Sequence, residues 1–302
     1  MVKNLKELLA VAKEQKTMRL VVAAAQDSDV LIAVCKAAEE GIIEPVLVGD
    51  IAGIKSVAAE NNLDVSSYEM VEAVELEEAA KKAVAIVKDG KGDFIMKGLI
   101  DTSILLKAVV DREHGLRTDN LISHVMIYEV PSYHKMIMLT DGGMNITPNL
   151  EDKKSIINNS IIVGKALGIE TLKIACLAAK EKVHPKMQAT VDAAELEKMS
   201  KEGAFGEGVI VEGPLAFDLA ISKEAAEHKG FKSEIAGDTD VLMVPTIEMG
   251  NGIGKTMTYF ANASSAGVIM GAKVPVVLVS RADSYEAKLN SIALGSVIAA
   301  NN

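Results

Sequence analysis

Short apolar runs rich in Val, Leu and Ile recur along the chain, and each is flanked by segments with helical periodicity. The pattern opens with a helix over 5–14, a strand over 19–25, a helix over 28–40 and a strand over 44–50. Unbroken apolar runs of this kind read as strands covered on both faces, and their alternation with helices predicts an α/β fold built on a parallel sheet. It continues with helices over 51–61 and 75–88, a strand over 93–98 and a helix over 103–111. Further along come helix 150–167, strand 171–177, helix 189–201, strands 209–218 and 240–245, and a helix over 256–271. The runs 123–130 and 135–143 break the alternation: the turn between them is too short for a crossover helix, so an antiparallel hairpin is expected. A boundary just after that hairpin divides the 302 residues into 1–141 plus 272–302 and 142–271.

The formal net charge of −10 argues against general nucleic-acid binding, which needs clustered Lys and Arg. A bound anion must then be met by local cations, which singles out Arg281, Arg117 and Lys97. The N-terminal stretch is amphipathic, without an apolar signal core, and no apolar run approaches the ~18 residues that span a bilayer, so a cytoplasmic protein without membrane partners is expected. Cys35 and Cys176 sit in apolar surroundings and read as buried free thiols. The five histidines show no ligand spacing, so no metal site is expected.

Gly250-Asn-Gly-Ile-Gly-Lys-Thr256 ends like a phosphate-binding loop, but its glycine spacing is one residue short, which rules out an ATP site. It remains readable as a glycine-rich loop that brings a ligand close to backbone, with Asn251 and Gly252 as contacts. The dinucleotide pattern and the Gly-x-Ser-x-Gly elbow are both missing.

The chemistry concentrates near the C-terminus. The run 275–280 ends in Ser280, Arg281 and Asp283 before a helix begins, which places a hydroxyl, a guanidinium and a carboxylate at the carboxyl end of a buried strand. Open α/β sheets bind their ligands at that edge. Helix capping accounts for Asp283 and Ser284, with Glu286 in the first turn. Capping does not account for Arg281, because a cation is disfavoured at a helix N-terminus; an anionic ligand explains it better. Lys97 and Gly98, opening onto a helix that starts near Thr102, read either as a second anion-binding turn or as a plain strand-to-helix connection.

Taken in order, Met96-Lys-Gly98 with Thr102, Ser123-His124, Thr140-Asp-Gly-Gly-Met-Asn-Ile-Thr-Pro148, Glu212-Gly-Pro-Leu-Ala-Phe-Asp218, the strand 240–245 and Ser280-Arg-Ala-Asp-Ser284 resemble the phosphate acetyl/butyryl transferases over essentially the whole chain. The resemblance implies two α/β domains with a cleft between them, as in the isocitrate and isopropylmalate dehydrogenases, and a homo-oligomer. It further implies acyl exchange between coenzyme A and inorganic phosphate, with acyl-CoA as substrate, no tightly bound cofactor, and butyryl preferred over acetyl. Ser280 and Arg281 match the family's catalytic pair. The acetyl enzymes carry a catalytic aspartate where this chain has Ala287, which leaves Asp283 and Glu286 as candidates for the base. Substrate binding would draw on Lys97, Gly98, Thr102, Lys107, Arg117, Ser123, His124, Asp141, Asn145, Asn251 and Gly252. From outside the family, an NAD-dependent decarboxylating dehydrogenase of this fold would need an aspartate cluster for a metal and a dinucleotide site, and a noncatalytic coenzyme A-binding regulator would lack turnover.

Overall fold

The computed structural model describes residues 1–280 and 283–301. Two compact units emerge, one formed by Leu5–Asn120 with Ala266–Asn302 and the other by Leu121–Ser265 with Met1–Asn4. In the first unit the chain runs α1 (Leu5–Glu14), β1 (Met18–Ala23), α2 (Ser28–Glu39), β2 (Ile43–Gly49), α3 (Ile51–Glu60), β3 (Glu69–Glu72), α4 (Leu76–Lys88), β4 (Phe94–Lys97) and α5 (Thr102–Val109). The second unit contributes β5 (Ser123–Glu129), β6 (Ile137–Thr140), α6 (Leu150–Ala166), β7 (Leu172–Leu177), α7 (Gln188–Lys201), β8 (Val209–Leu215), α8 (Phe217–Ile221), α9 (Lys223–His228), β9 (Val241–Met243) and α10 (Ile247–Tyr259). The chain then returns through β10 (Ser264–Met270), β11 (Val276–Val277) and α11 (Tyr285–Ala300). This division places the β5–β6 hairpin, which the sequence reading puts at the end of the first domain, with the second unit: β6 pairs along its length with β9.

In the first unit the strand order is β3-β2-β1-β4-β11-β10, parallel except for β10. Val21, Val22, Ile95, Met96, Val276 and Val277 are fully buried, as strands covered on both faces must be. Helix α11 packs on α1, α2 and the strands β1, β4 and β11. Every residue from Lys288 to Ile298 is buried, so α11 is a core helix rather than an amphipathic one. Gly295 lets it approach this closely: a Cβ there would stand 2.7 Å from Val277 and 2.9 Å from the Phe94 ring.

The second unit orders its strands β5-β6-β9-β7-β8, with only the β5–β6 pair antiparallel. Its core gathers Tyr128, Leu139, Leu177, Leu215, Leu242 and Met257. Met1–Asn4 joins it through the bond from the Val2 N–H to the Leu167 carbonyl, 2.9 Å. At the amino edge of β6, β7 and β9, the Asp238 carboxylate meets Lys173, Lys135 at 2.9 Å and the His134 ring at 2.8 Å. Burial pushes the Asp238 carboxyl up, but the hydrogen bonds from Lys173, His134 and Lys135 outweigh it and hold the carboxyl well below the usual range. A carboxyl held low stabilises the fold above its unfolded value, near 3.8, and that contribution drains away as pH falls toward the depressed folded value. Melting temperature should therefore drop below about pH 4 more steeply in the wild type than in Asp238→Asn, the two curves converging in acid; parallel curves would show that Asp238 contributes nothing.

The glycine-rich stretch 250–254 is not a loop. It lies inside α10, and the single helix expected over 256–271 is instead the end of α10 followed by β10. Gly250 and Gly254 serve packing. A Cβ on Gly250 would stand 2.6 Å from the Gly142 Cα, and one on Gly254 would stand 2.5 Å from the Tyr128 hydroxyl. Close approach outweighs the roughly 1 kcal/mol helix penalty of each glycine.

Candidate active site

Strands β1, β4 and β11 run parallel and in register, Ala23 opposite Lys97 and Val277 opposite Met96, so their carboxyl ends share one edge. Gly98 follows β4 directly, and Ser280 comes after Leu278 and Val279 at the end of β11. Gly98 N–H donates to the Ala23 carbonyl at 2.9 Å and Leu99 N–H to that of Ala24 at 2.7 Å, which folds the β4 turn onto the end of β1. Lys97 is buried, and its ammonium donates to the carbonyls of Gly98 at 3.2 Å and Ile100 at 2.8 Å. Much of its hydrogen-bonding capacity thus shapes the turn that the sequence reading assigns to an anion. Thr102 opens α5 behind Asp101, which takes the N-cap position without a capping hydrogen bond.

Ser280 is exposed at the end of the β11 segment. Its N–H donates to the Asp283 carboxylate at 2.8 Å, and its carbonyl accepts from the Asp283 N–H at 3.1 Å, so the two residues are tied together. Arg281 lies outside the described residues. Ser284 caps α11, its hydroxyl accepting from the Ala287 N–H at 3.3 Å. Glu286 is exposed in the first turn, where a hydrogen bond from its own N–H and a second from the Ser284 side chain hold its carboxyl below the usual range. A lowered carboxyl is a weaker base. Asp283, in contact with Ser280, is the better placed of the two carboxylates.

Not every expected site residue gathers at this edge. Arg117 bridges Ala272, and the Lys273 N–H donates to the Leu116 carbonyl at 2.9 Å, just before β11 begins; Ser280 follows after β11 ends. Arg117 therefore stands at the amino edge, beside Arg112 and Lys273. Lys107 is exposed on α5 and lines an open groove of about 810 Å³ against α4.

In the second unit, Ser123, His124, Asp141 and Asn145 do come together. The buried Asp141 carboxylate accepts from the N–H groups of Gly143 and Met144, each at 2.9 Å, and from the Asn145 side chain at 2.6 Å. Asn145 also donates to the Ile122 carbonyl at 2.9 Å, and the Thr140 hydroxyl to the His124 carbonyl at 2.9 Å. Gly143 lies so close to the His124 ring that a Cβ would stand 2.6 Å from Nδ1. Ser123 is buried and takes a 2.7 Å bond from Asn159. Asp141 and Asn145 thus build the loop that holds backbone against His124. Asn251 and Gly252 are exposed on α10. Both cysteines are buried, and burial raises the thiol of Cys35 and pushes that of Cys176 up to about 12. No helix among the described residues is long and apolar enough to cross a membrane.

Sequence reasoning passed over Lys288. It is 3 % exposed in the first turn of α11, and its ammonium donates to the Asp283 carbonyl at 2.5 Å. The available signal was a lysine leading into Leu289-Asn-Ser-Ile-Ala-Leu-Gly-Ser-Val297, a helical stretch with no other charged residue.

The model of the phosphate acetyl/butaryl transferase family matches residues 4–81 and 74–296. A phosphate butyryltransferase of Clostridium acetobutylicum is 44% identical over 301 residues, covering all of both chains. A phosphate acetyltransferase of Rhizobium meliloti is 41% identical over 97% of this chain and 92% of its own. Among solved structures, a branched-chain phosphotransacylase from Enterococcus faecalis V583 superposes with a TM-score of 0.81 at 34% identity, covering 93% of this chain and 99% of its own. A motif order recognised in the sequence, Ser280 past the carboxyl edge of the sheet and a full-length match to the family converge: the chain belongs to the phosphate acetyl/butyryl transferases and is a phosphate acyltransferase of dehydrogenase-like α/β fold.

Proposed function

We propose that the chain transfers a butyryl group reversibly between coenzyme A and inorganic phosphate. The observation that carries this reading is the bonded pair Ser280 and Asp283 past the carboxyl edge of the first-unit sheet, in a chain 44% identical, end to end, to a phosphate butyryltransferase. A phosphate oxygen attacks the thioester carbon, the C–S bond breaks, and butyryl phosphate leaves with coenzyme A as thiolate. Arg281 binds the phosphate, whose charge a guanidinium matches with paired hydrogen bonds. The Ser280 hydroxyl donates to the oxyanion of the tetrahedral intermediate. In the reverse direction Asp283 takes the proton from the coenzyme A thiol. Both cysteines are buried with raised thiols, which leaves the transfer direct, without an acyl-enzyme.

The 41% identity to a phosphate acetyltransferase keeps acetyl as the second reading. Purified protein should release thiol from butyryl-CoA only when phosphate is present. Each methylene that a pocket recognises changes kcat/KM by about tenfold or more, so butyryl-CoA should exceed acetyl-CoA by at least that factor. Faster turnover of acetyl-CoA would overturn the chain-length assignment, and no thiol release from any acyl-CoA between acetyl and hexanoyl would overturn the enzyme.

A further inference from the structure

Lys288 occupies a place where a lysine is unfavourable twice over. It lies in the first turn of α11, near the positive end of the helix dipole, and it is 3 % exposed, in a position where an ion costs several kcal/mol to desolvate. An apolar side chain would fill the space without either cost. The distinct contribution of Lys288 is its ammonium, which reaches back along the helix to donate to the Asp283 carbonyl at 2.5 Å, with the Asp29 carboxylate 3.6 Å away at the start of α2.

The other polar groups of Asp283 act on Ser280. The Asp283 carboxylate takes the Ser280 N–H at 2.8 Å, and the Asp283 N–H donates to the Ser280 carbonyl at 3.1 Å. The chain of bonds therefore runs from a buried ammonium, anchored between α2 and α11, to Asp283 and on to the backbone of Ser280. We propose that Lys288 is a positioning residue for acyl transfer: it fixes Asp283 by its carbonyl and so sets where the Ser280 hydroxyl stands. This inference rests on the reading of Ser280 as an oxyanion donor. Ser280 is exposed past a strand end, and it needs an anchor in the core to hold it to the tolerance that catalysis demands; a displacement of about 1 Å costs on the order of 10²-fold in rate.

The test is a double-mutant cycle in kcat/KM for butyryl-CoA and phosphate, with thermal unfolding followed on the same samples. Lys288→Met keeps the aliphatic stem and removes the donor; it should lower kcat/KM about 10²-fold, mostly in kcat. Lys288→Arg, which restores a charged donor of different geometry, should recover the rate to within about tenfold of wild type. In a Ser280→Ala background Lys288→Met should cost only about tenfold instead of about 10²-fold, because the hydroxyl it positions is gone and only the Asp283 carboxylate is left to displace. If Lys288→Met does not fold, the same comparison is made with Lys288→Arg. Wild-type turnover of the Lys288 variants beside an impaired Ser280→Ala overturns the positioning role alone, and so does the same loss in both backgrounds, which would mark a structural lysine. A fully active Ser280→Ala overturns both the positioning role and the reading of the site.

Discussion

Replacing Arg281 with alanine is expected to lower acyl transfer by about 10³-fold or more while leaving the unfolding transition where it is. Phosphate at neutral pH carries one to two negative charges, and in a chain of net charge −10 it has no general attraction to exploit. It must be held against a thioester long enough for an oxygen to align with the carbonyl carbon. A guanidinium supplies both the attraction and the orientation, and it keeps its charge at every working pH. Loss of one positioned donor at a developing charge costs about 10²–10³-fold. Loss of the group that also binds the nucleophile costs more, so both kcat and KM for phosphate should suffer. Asp283→Asn should slow the reverse reaction, thiol attack on butyryl phosphate, far more than Glu286→Gln, since Asp283 is the carboxylate bonded to Ser280. Near-normal turnover of Arg281→Ala would move the phosphate site elsewhere, and equal activity of the two carboxylate variants would remove Asp283 as the base.

Most of the sheet was legible because its strands are buried on both faces and advertise themselves as unbroken Val, Leu and Ile runs. Where that physics fails, so does the reading. Strand β3 is Glu-Met-Val-Glu at the edge of its sheet, half wetted and without an apolar run. Strand β10 reads Ser-Ser-Ala-Gly-Val-Ile-Met, whose small residues sit as easily in a helix pattern. Helix α10 was hidden by its own glycines, which look like a loop until Gly142 and Tyr128 are seen packed against them. The candidate residues of each unit show the same division. Residue types announced Ser280, Asp283 and the Asp141–Asn145 loop, because hydroxyls and carboxylates at strand ends are unusual enough to notice. Which cations accompany them depends on topology: Arg117 and Ser280 flank the same short strand, and only its direction shows that they stand at opposite edges. Lys288 was invisible for a further reason. A lysine on a helix is ordinarily solvated, and only the burial of Lys288 itself, beside an exposed first turn, makes its ammonium informative.

The largest effect on folding is expected from a single methyl group at the same edge. A Cβ on Gly98 would stand 2.1 Å from the Ala24 carbonyl oxygen and 2.8 Å from that of Ala23, and both obstacles are backbone rather than a side chain that can swing away. Ala24 itself is held at φ 56°, a left-handed conformation that leaves it little room to adjust. To admit the methyl, the β4 turn must part from the end of β1, giving up the bonds from the Gly98 and Leu99 N–H groups in the middle of the sheet. Gly98→Ala should therefore destabilise the first unit by about 3–4 kcal/mol, at the severe end for one added carbon. Gly252→Ala is the matched control. That position is helical and nothing lies within 4 Å of its Cβ, so the same methyl should add about 0.5–1 kcal/mol by lowering the entropy of the unfolded chain. Urea unfolding of the two variants beside the wild type decides the matter. The turn that carries Lys97 and leads into α5 is bound to β1 only if the two substitutions move the midpoint in opposite directions. A Gly98→Ala protein within about 0.5 kcal/mol of wild type would mean that this edge of the sheet is free to shift, and with it the frame on which Ser280 is set.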